Sequence, residues 1–102
     1  MILKVGQTLA SAIDKTAVIV VRAPKDEVAL TCGGVDMVAG KSGLGDGSGI
    51  DDAHRGGALL GKRYVDEGAA LEVLCTKAGD GALALDGRVL EVKSAKPLPS
   101  SD

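Results

Sequence analysis

The sequence predicts a mainly β domain made of two similar small units packed together. A single small β-barrel or roll is the alternative. Three observations carry this reading. Val18 to Val21 are four consecutive β-branched residues, which favour extended backbone. Turn signals recur at close spacing, among them Gly33-Gly34, Gly79-Asp80-Gly81 and Asp86-Gly87. Shifting residues 17–37 by 53 positions also lays them on 70–90 without a gap.

In chain order, residues 2–13 suit a strand, because Leu9, Ser11 and Ile13 alternate with Ala10 and Ala12; QTLASAID would also suit a short helix. Asp14-Lys15 then reads as a turn. Ala17–Arg22 is a strand apolar on both faces, which implies burial on both. Pro24 to Glu27 turns the chain, and Val28 to Cys32 returns as its expected hairpin partner. Gly33-Gly34 permits a tight bend into a third strand, Val35 to Val38.

Residues 40–61 change character, with eight glycines in 22 positions. They read as a flexible connector or as a binding loop. A short helix is expected from Asp51 to Leu60, capped by Asp51 or Asp52. Gly40-Lys41-Ser42 has the ending of a phosphate-binding loop, but position 35, where that motif requires its first glycine, is Val. Beyond the connector, Arg63 to Asp66 and Leu71 to Lys77 read as strands joined by a turn at 67–70. A second turn spans Ala78 to Gly81, Ala82 to Leu85 is a strand, and Asp86-Gly87 turns into a last strand, Arg88 to Lys93. The chain thus divides into unit one (1–39), connector (40–61), unit two (62–93) and an extended tail (94–102), all within one compact domain.

The offset places Ala17, Val20, Ala29, Leu30 and Gly34 on Ala70, Val73, Ala82, Leu83 and Gly87. Five identities in 21 positions carry little alone, so the weight rests on the shared order of strand, turn, strand, Gly bend and short strand.

Composition narrows the function. Formal net charge is −2, which supplies no basic excess for nucleic acid or an anionic membrane. No apolar run approaches the ~20 residues of a membrane span, and MILKVGQTLA lacks the apolar segment of a secretory signal. A cytoplasmic location is therefore expected. Two cysteines do not make a disulfide framework, although Cys32 and Cys75 could pair. A single aromatic residue, Tyr64, leaves the core to Val, Leu, Ile and Ala, which points to reliance on a partner or on self-association.

The second unit resembles the rubredoxin-like (zinc-ribbon-like) module of desulforedoxin and of the N-terminal domain of desulfoferrodoxin. Tyr64, Gly79, Gly81, Leu83, Gly87 and Leu90 fall on that module's Tyr, turn-glycine, Leu, Gly and Met positions. In unit one, Leu30-Thr31-Cys32-Gly33-Gly34-Val35-Asp36-Met37 is similar to the module's closing Leu-x-Cys-Cys-Gly-x-x-Met. The resemblance covers about two-thirds of the chain and implies four cysteine ligands to one iron per module. Those positions here are Asp66, Ala69, Leu85 and Asp86 in unit two, and by the offset Ile13, Thr16, Cys32 and Gly33 in unit one. A tetrathiolate centre needs four thiolates at one point, so no metal and no cofactor is expected.

The resulting expectation is a non-catalytic accessory or protein-interaction subunit, with another protein or a second copy as partner. His54, Arg55, Lys62 and Arg63 are the candidates for partner contact. The alternative is a thiol-dependent redox or small-molecule-binding protein that uses Cys32, with His54 brought in by the Gly-rich loop. Cys32 has two readings, a reactive thiol beside Gly33-Gly34 or a cysteine left over from the resembled module with no remaining task; Cys75 reads as a small core hydrophobe. Asp66 and Asp86 read either as exposed turn residues or as a carboxylate pair.

Overall fold

The computed structural model describes residues 2–45, 47, 50 and 55–93. Twelve strands are described: β1 (Thr8–Ala10), β2 (Ala17–Arg22), β3 (Leu30–Cys32), β4 (Val35–Asp36), β5 (Val38–Ala39), β6 (Arg55–Ala58), β7 (Arg63–Asp66), β8 (Leu71–Lys77), β9 (Gly79–Gly81), β10 (Leu83–Leu85), β11 (Arg88–Val89) and β12 (Glu91–Val92). Among the described residues the only helical turn is a 3-10 turn at Glu67–Ala69, and among them no helix is long and apolar enough to cross a membrane. The chain is mainly β, as expected, and its sheets do not close into a barrel.

Six strands form one antiparallel sheet in the order β12-β7-β8-β2-β1-β5. Four form a second, β11-β10-β3-β4, and β6 pairs with β9 in a third. Buried side chains from all three form one core, in which Leu9, Val18, Val73 and Leu85 are fully inaccessible. Fully burying such a side chain stabilises the fold by about 1.5–3 kcal/mol, and the aliphatic residues carry that share here because aromatics are nearly absent.

Two runs switch sheets. Residues 35–39 edge the four-stranded sheet as β4 and the six-stranded sheet as β5, with the buried Met37 at the crossing. Residues 88–92 do the same as β11 and β12, with Leu90 at the crossing. The sequence suggested one strand in each place. The interruption is set by backbone bonding, since Met37 N donates to Leu30 O (3.0 Å) and Leu90 N to Leu83 O (2.9 Å).

Val20 pairs with Val73, the residue 53 positions on, and Thr31 pairs with Ala84, again 53 apart. Gly33 N donates to Ala82 O (3.0 Å), and Asp86 N donates to Ala29 O (2.8 Å). Both two-residue hairpins have positive φ at their central residues: Gly33 64° and Gly34 86°, Asp86 50° and Gly87 84°. That is the requirement of the type I′ turn, whose twist suits the flanking strands.

Several expectations need correction. β3 is not the hairpin partner of β2; it pairs with β10 and β4, while β2 pairs with β1 and β8. Residues 55–58 are strand, not helix, and the proposed caps Asp51 and Asp52 lie outside the described residues. Residues 79–81 are strand β9 rather than part of a turn. The connector is also not a free linker over residues 40–45 and 47. Leu44 N donates to Ser11 O (2.9 Å), Gly45 N to Asp14 O (3.2 Å) and Gly47 N to Ile13 O (2.9 Å). This packing needs glycine, because a Cβ at Gly43 or Gly45 would collide with the backbone of residues 13–15.

Candidate functional site

The loop between β1 and β2 holds a buried polar cluster. Ser11 N donates to Thr16 O and closes the loop, and Ser11 Oγ accepts from Ile13 N (3.2 Å) and Asp14 N (3.1 Å). Asp14 then turns inward. Its Oδ1 accepts from Thr16 N (2.8 Å), and its Oδ2 accepts from Gly81 N (2.7 Å), 67 residues away. Cys32 Sγ lies 3.8 Å from Asp14 Oδ1. Ser11, Thr16 and Cys32 are fully inaccessible, and Asp14 is 2% exposed.

Burial pushes the Asp14 pKa up, but the backbone N–H groups of Thr16 and Gly81 and the hydroxyls of Ser11 and Thr16 together bring it below its ordinary value. Burial pushes the Cys32 thiol up to about 11, helped by the Asp14 carboxylate and only partly opposed by the Thr16 and Ser11 hydroxyls. Burial also raises Cys75, whose Sγ lies 3.1 Å from Lys77 O. Thr16 Oγ1 lies against Asp14 and Cys32 closely enough to lower both pKa values, yet makes no hydrogen bond of good geometry.

Both cysteines are unpaired thiols, so the possible Cys32–Cys75 disulfide is not formed. At neutral pH, a thiol with a pKa near 11 is thiolate in about one molecule in ten thousand. Labelling of the folded protein with a thiol reagent at pH 7 is therefore expected to be at least ~100-fold slower than of the unfolded chain. Equal rates would show an accessible thiol.

In unit one, the structure brings together the positions that the resemblance assigns to metal. Cys32 lies against Thr16, and a Cβ on Gly33 would sit 2.7 Å from Ile13 Cδ1. The side chains present do not fit a tetrathiolate centre. One thiol faces a carboxylate and a hydroxyl, and the fourth side is aliphatic. In unit two, Asp66 Oδ1 accepts from Ala69 N (3.2 Å) and its Oδ2 pairs with Arg88 (3.1 Å). Leu85 is buried in the core, and Asp86 Oδ1 accepts from Ala29 N (2.9 Å). Asp66 and Asp86 thus each have their own partners. Among the described residues, no group of three or more His, Cys, Asp or Glu could hold a metal ion.

The contact candidates separate. His54 lies outside the described residues. Arg55 begins β6 and donates to Ile50 O (3.4 Å). Arg63 begins β7 and pairs with Glu72 (3.2 Å), which Lys93 also reaches (3.0 Å). Lys62 stands exposed on the turn between β6 and β7.

That turn carries Leu59 and Leu60, which are 59% and 67% exposed. It is braced on both sides. Leu59 N donates to Tyr64 Oη (2.9 Å), Lys62 N to Leu59 O (3.1 Å), Gly61 N to Cys75 O (2.9 Å) and Cys75 N to Lys62 O (2.9 Å). Tyr64 has its ring in the core and its hydroxyl as the brace. Leu59 also borders two open depressions. One, of 430 Å³, has Asp14, Lys15 and Gly79 in its wall; the other, of 260 Å³, has Tyr64, Val89 and Val92.

Sequence reasoning missed two features. Asp14 read as a turn residue, although an aspartate two residues before Thr16 is also the local pattern of a side chain that captures a backbone N–H. Leu59-Leu60 read as part of a helix, which hid their exposure. No family model, curated protein or solved structure matches the chain.

Proposed function

We propose that this chain is a non-catalytic interaction subunit, contacting its partner through the turn between β6 and β7. The observation that carries the reading is the adjacent pair of exposed leucines on a turn whose backbone is already hydrogen-bonded. A preordered apolar tip gives up little conformational entropy on binding, and the neighbouring depressions offer room for a partner's side chains. The burial and raised pKa of Cys32 weigh against the thiol-dependent alternative.

The test is recovery of cross-linked partners from native extract. A specific protein is expected with the wild-type chain, and at least ~10-fold less of it with Leu59→Ser/Leu60→Ser, at unchanged stability. Equal recovery by the two chains, or none above control by the wild type, would sink the proposal.

The scaffold itself we read as two copies of one desulforedoxin-like unit, with aliphatic packing and the Asp14 cluster in place of metal. Its support is the 53-residue offset recurring in strand register and the clustering of positions 13, 16, 32 and 33. Replacing Ile13, Thr16 and Gly33 by Cys beside Cys32 is expected to produce one cobalt- or zinc-binding site per chain, seen as thiolate-to-cobalt absorption. A folded variant that takes up no metal would remove the resemblance.

A further inference from the structure

The contact between the two halves is made of like against like. β2 lies beside β8 and β3 beside β10, and each strand's neighbour is its own counterpart at the 53-residue offset. In the four-stranded sheet the pairs are Leu30 with Leu85, Thr31 with Ala84 and Cys32 with Leu83. The offset exchanges the first and last of these and maps the middle one onto itself. The bonds Gly33 N to Ala82 O and Asp86 N to Ala29 O are exchanged in the same way.

Neither half buries this surface alone. Without its partner half, each of β2, β3, β8 and β10 would become an open edge, and Val18, Val20 and Leu30, now at most 1% exposed, would lose cover. A surface that is self-complementary under two-fold rotation is satisfied by the other half of the same chain or by a half of another molecule. The connecting segment favours the first arrangement through effective concentration, which is on the order of millimolar for a short tether.

We infer that the halves exchange between molecules: residues 2–39 of one copy pair with 55–93 of a second, and reciprocally, in a closed two-fold dimer that rebuilds both sheets. The partner this surface fits is a second copy of this chain. The inference rests on the two-unit reading above. Halves that failed to superpose would sink that reading, independently of the exchange.

The test uses two full-length variants, Leu30→Asp, which disables unit one, and Leu83→Asp, which disables unit two. Each is unfolded, then refolded alone and as an equimolar mixture. The mixture is expected to yield a 1:1 heterodimer by native mass spectrometry, with at least ~10-fold more folded protein than either variant alone. A mixture that only sums the separate results overturns the inference. The wild-type chain supplies a second measurement. Refolded near the tether's effective concentration of about 1 mM, it should give dimer by light scattering, and far below that concentration it should give monomer. Absence of dimer at the upper concentration also overturns the inference.

Discussion

Replacing Asp14 by Ala is expected to remove about 3–5 kcal/mol of unfolding free energy, one of the largest losses available to a single substitution here. The carboxylate accepts from Thr16 N at 2.8 Å and Gly81 N at 2.7 Å while 2% exposed. Hydrogen bonds to a charged group contribute ~1.5–3 kcal/mol each. Truncation also leaves two buried donors without partners, and each such orphan costs about 1–3 kcal/mol. The Gly81 bond ties the β1–β2 loop to the far half of the chain, so its loss also loosens β9 and β6. Asp14→Asn keeps one acceptor oxygen and should fall between wild type and Ala. Urea unfolding at pH 7 measures all three; a loss below ~1 kcal/mol for Ala would show that the cluster is incidental.

The same residue sets an acid limb. The folded pKa of Asp14 lies below the ordinary 3.8, so the unfolded chain takes up this proton first as pH falls. The contribution is complete above the ordinary value, erodes below it, and is gone once the folded carboxyl is also protonated. Glu72 behaves alike from its ordinary 4.5, held down by the hydrogen bond from Lys93 and by the charges of Lys93 and Arg63 against the opposing effect of burial. Salt separates the two. Arg63 and Lys93 are half-exposed and screened, whereas the N–H partners of Asp14 are buried. In high salt, the acid slope that remains should be the one Asp14→Asn abolishes.

What was legible in the sequence was local. The β-branched run of β2, the extent of β8 and the two-residue turns at 33–34 and 86–87 are set within a few residues, and all were placed from the sequence. Strand pairing was not legible. Val28 to Cys32 lies close enough in sequence to return against β2, but Leu30 and Cys32 find their matches at Leu85 and Leu83, and that register is decided by packing across the whole chain. β6 and β9 were hidden because Gly-rich segments have low strand propensity. The glycines of β9 are required by what lies against it: a Cβ at Gly81 would sit 2.8 Å from Cys32 Sγ and from Gly33 N. For the candidate site, the sequence located Cys32 and the positions around it, but a buried Asp14 and an exposed turn aspartate share the same local pattern.

Gly79→Ala is expected to cost about 2–4 kcal/mol, through collision rather than backbone conformation. A Cβ there would run into Thr16 Oγ1 and lie 2.8 Å from Asp14 Oδ2 and 2.9 Å from Thr16 N. Asp14 Oδ2 and Thr16 N cannot retreat, since each is held by a hydrogen bond, to Gly81 N and Asp14 Oδ1 respectively. Gly61 and Gly87 provide the contrast. Both have positive φ, but a Cβ at either meets nothing within 4 Å. Alanine there should cost only the ~1 kcal/mol of left-handed backbone. A double-mutant cycle separates the causes. Thr16→Ala removes the hydroxyl that blocks the new methyl and that makes no well-formed bond of its own. Combined with Gly79→Ala it should recover about 1–2 kcal/mol relative to the sum of the single changes. If the two costs instead simply add, the cross-chain contact at Gly79 is looser than its geometry implies, and the Gly81 bond alone holds the two halves at this point.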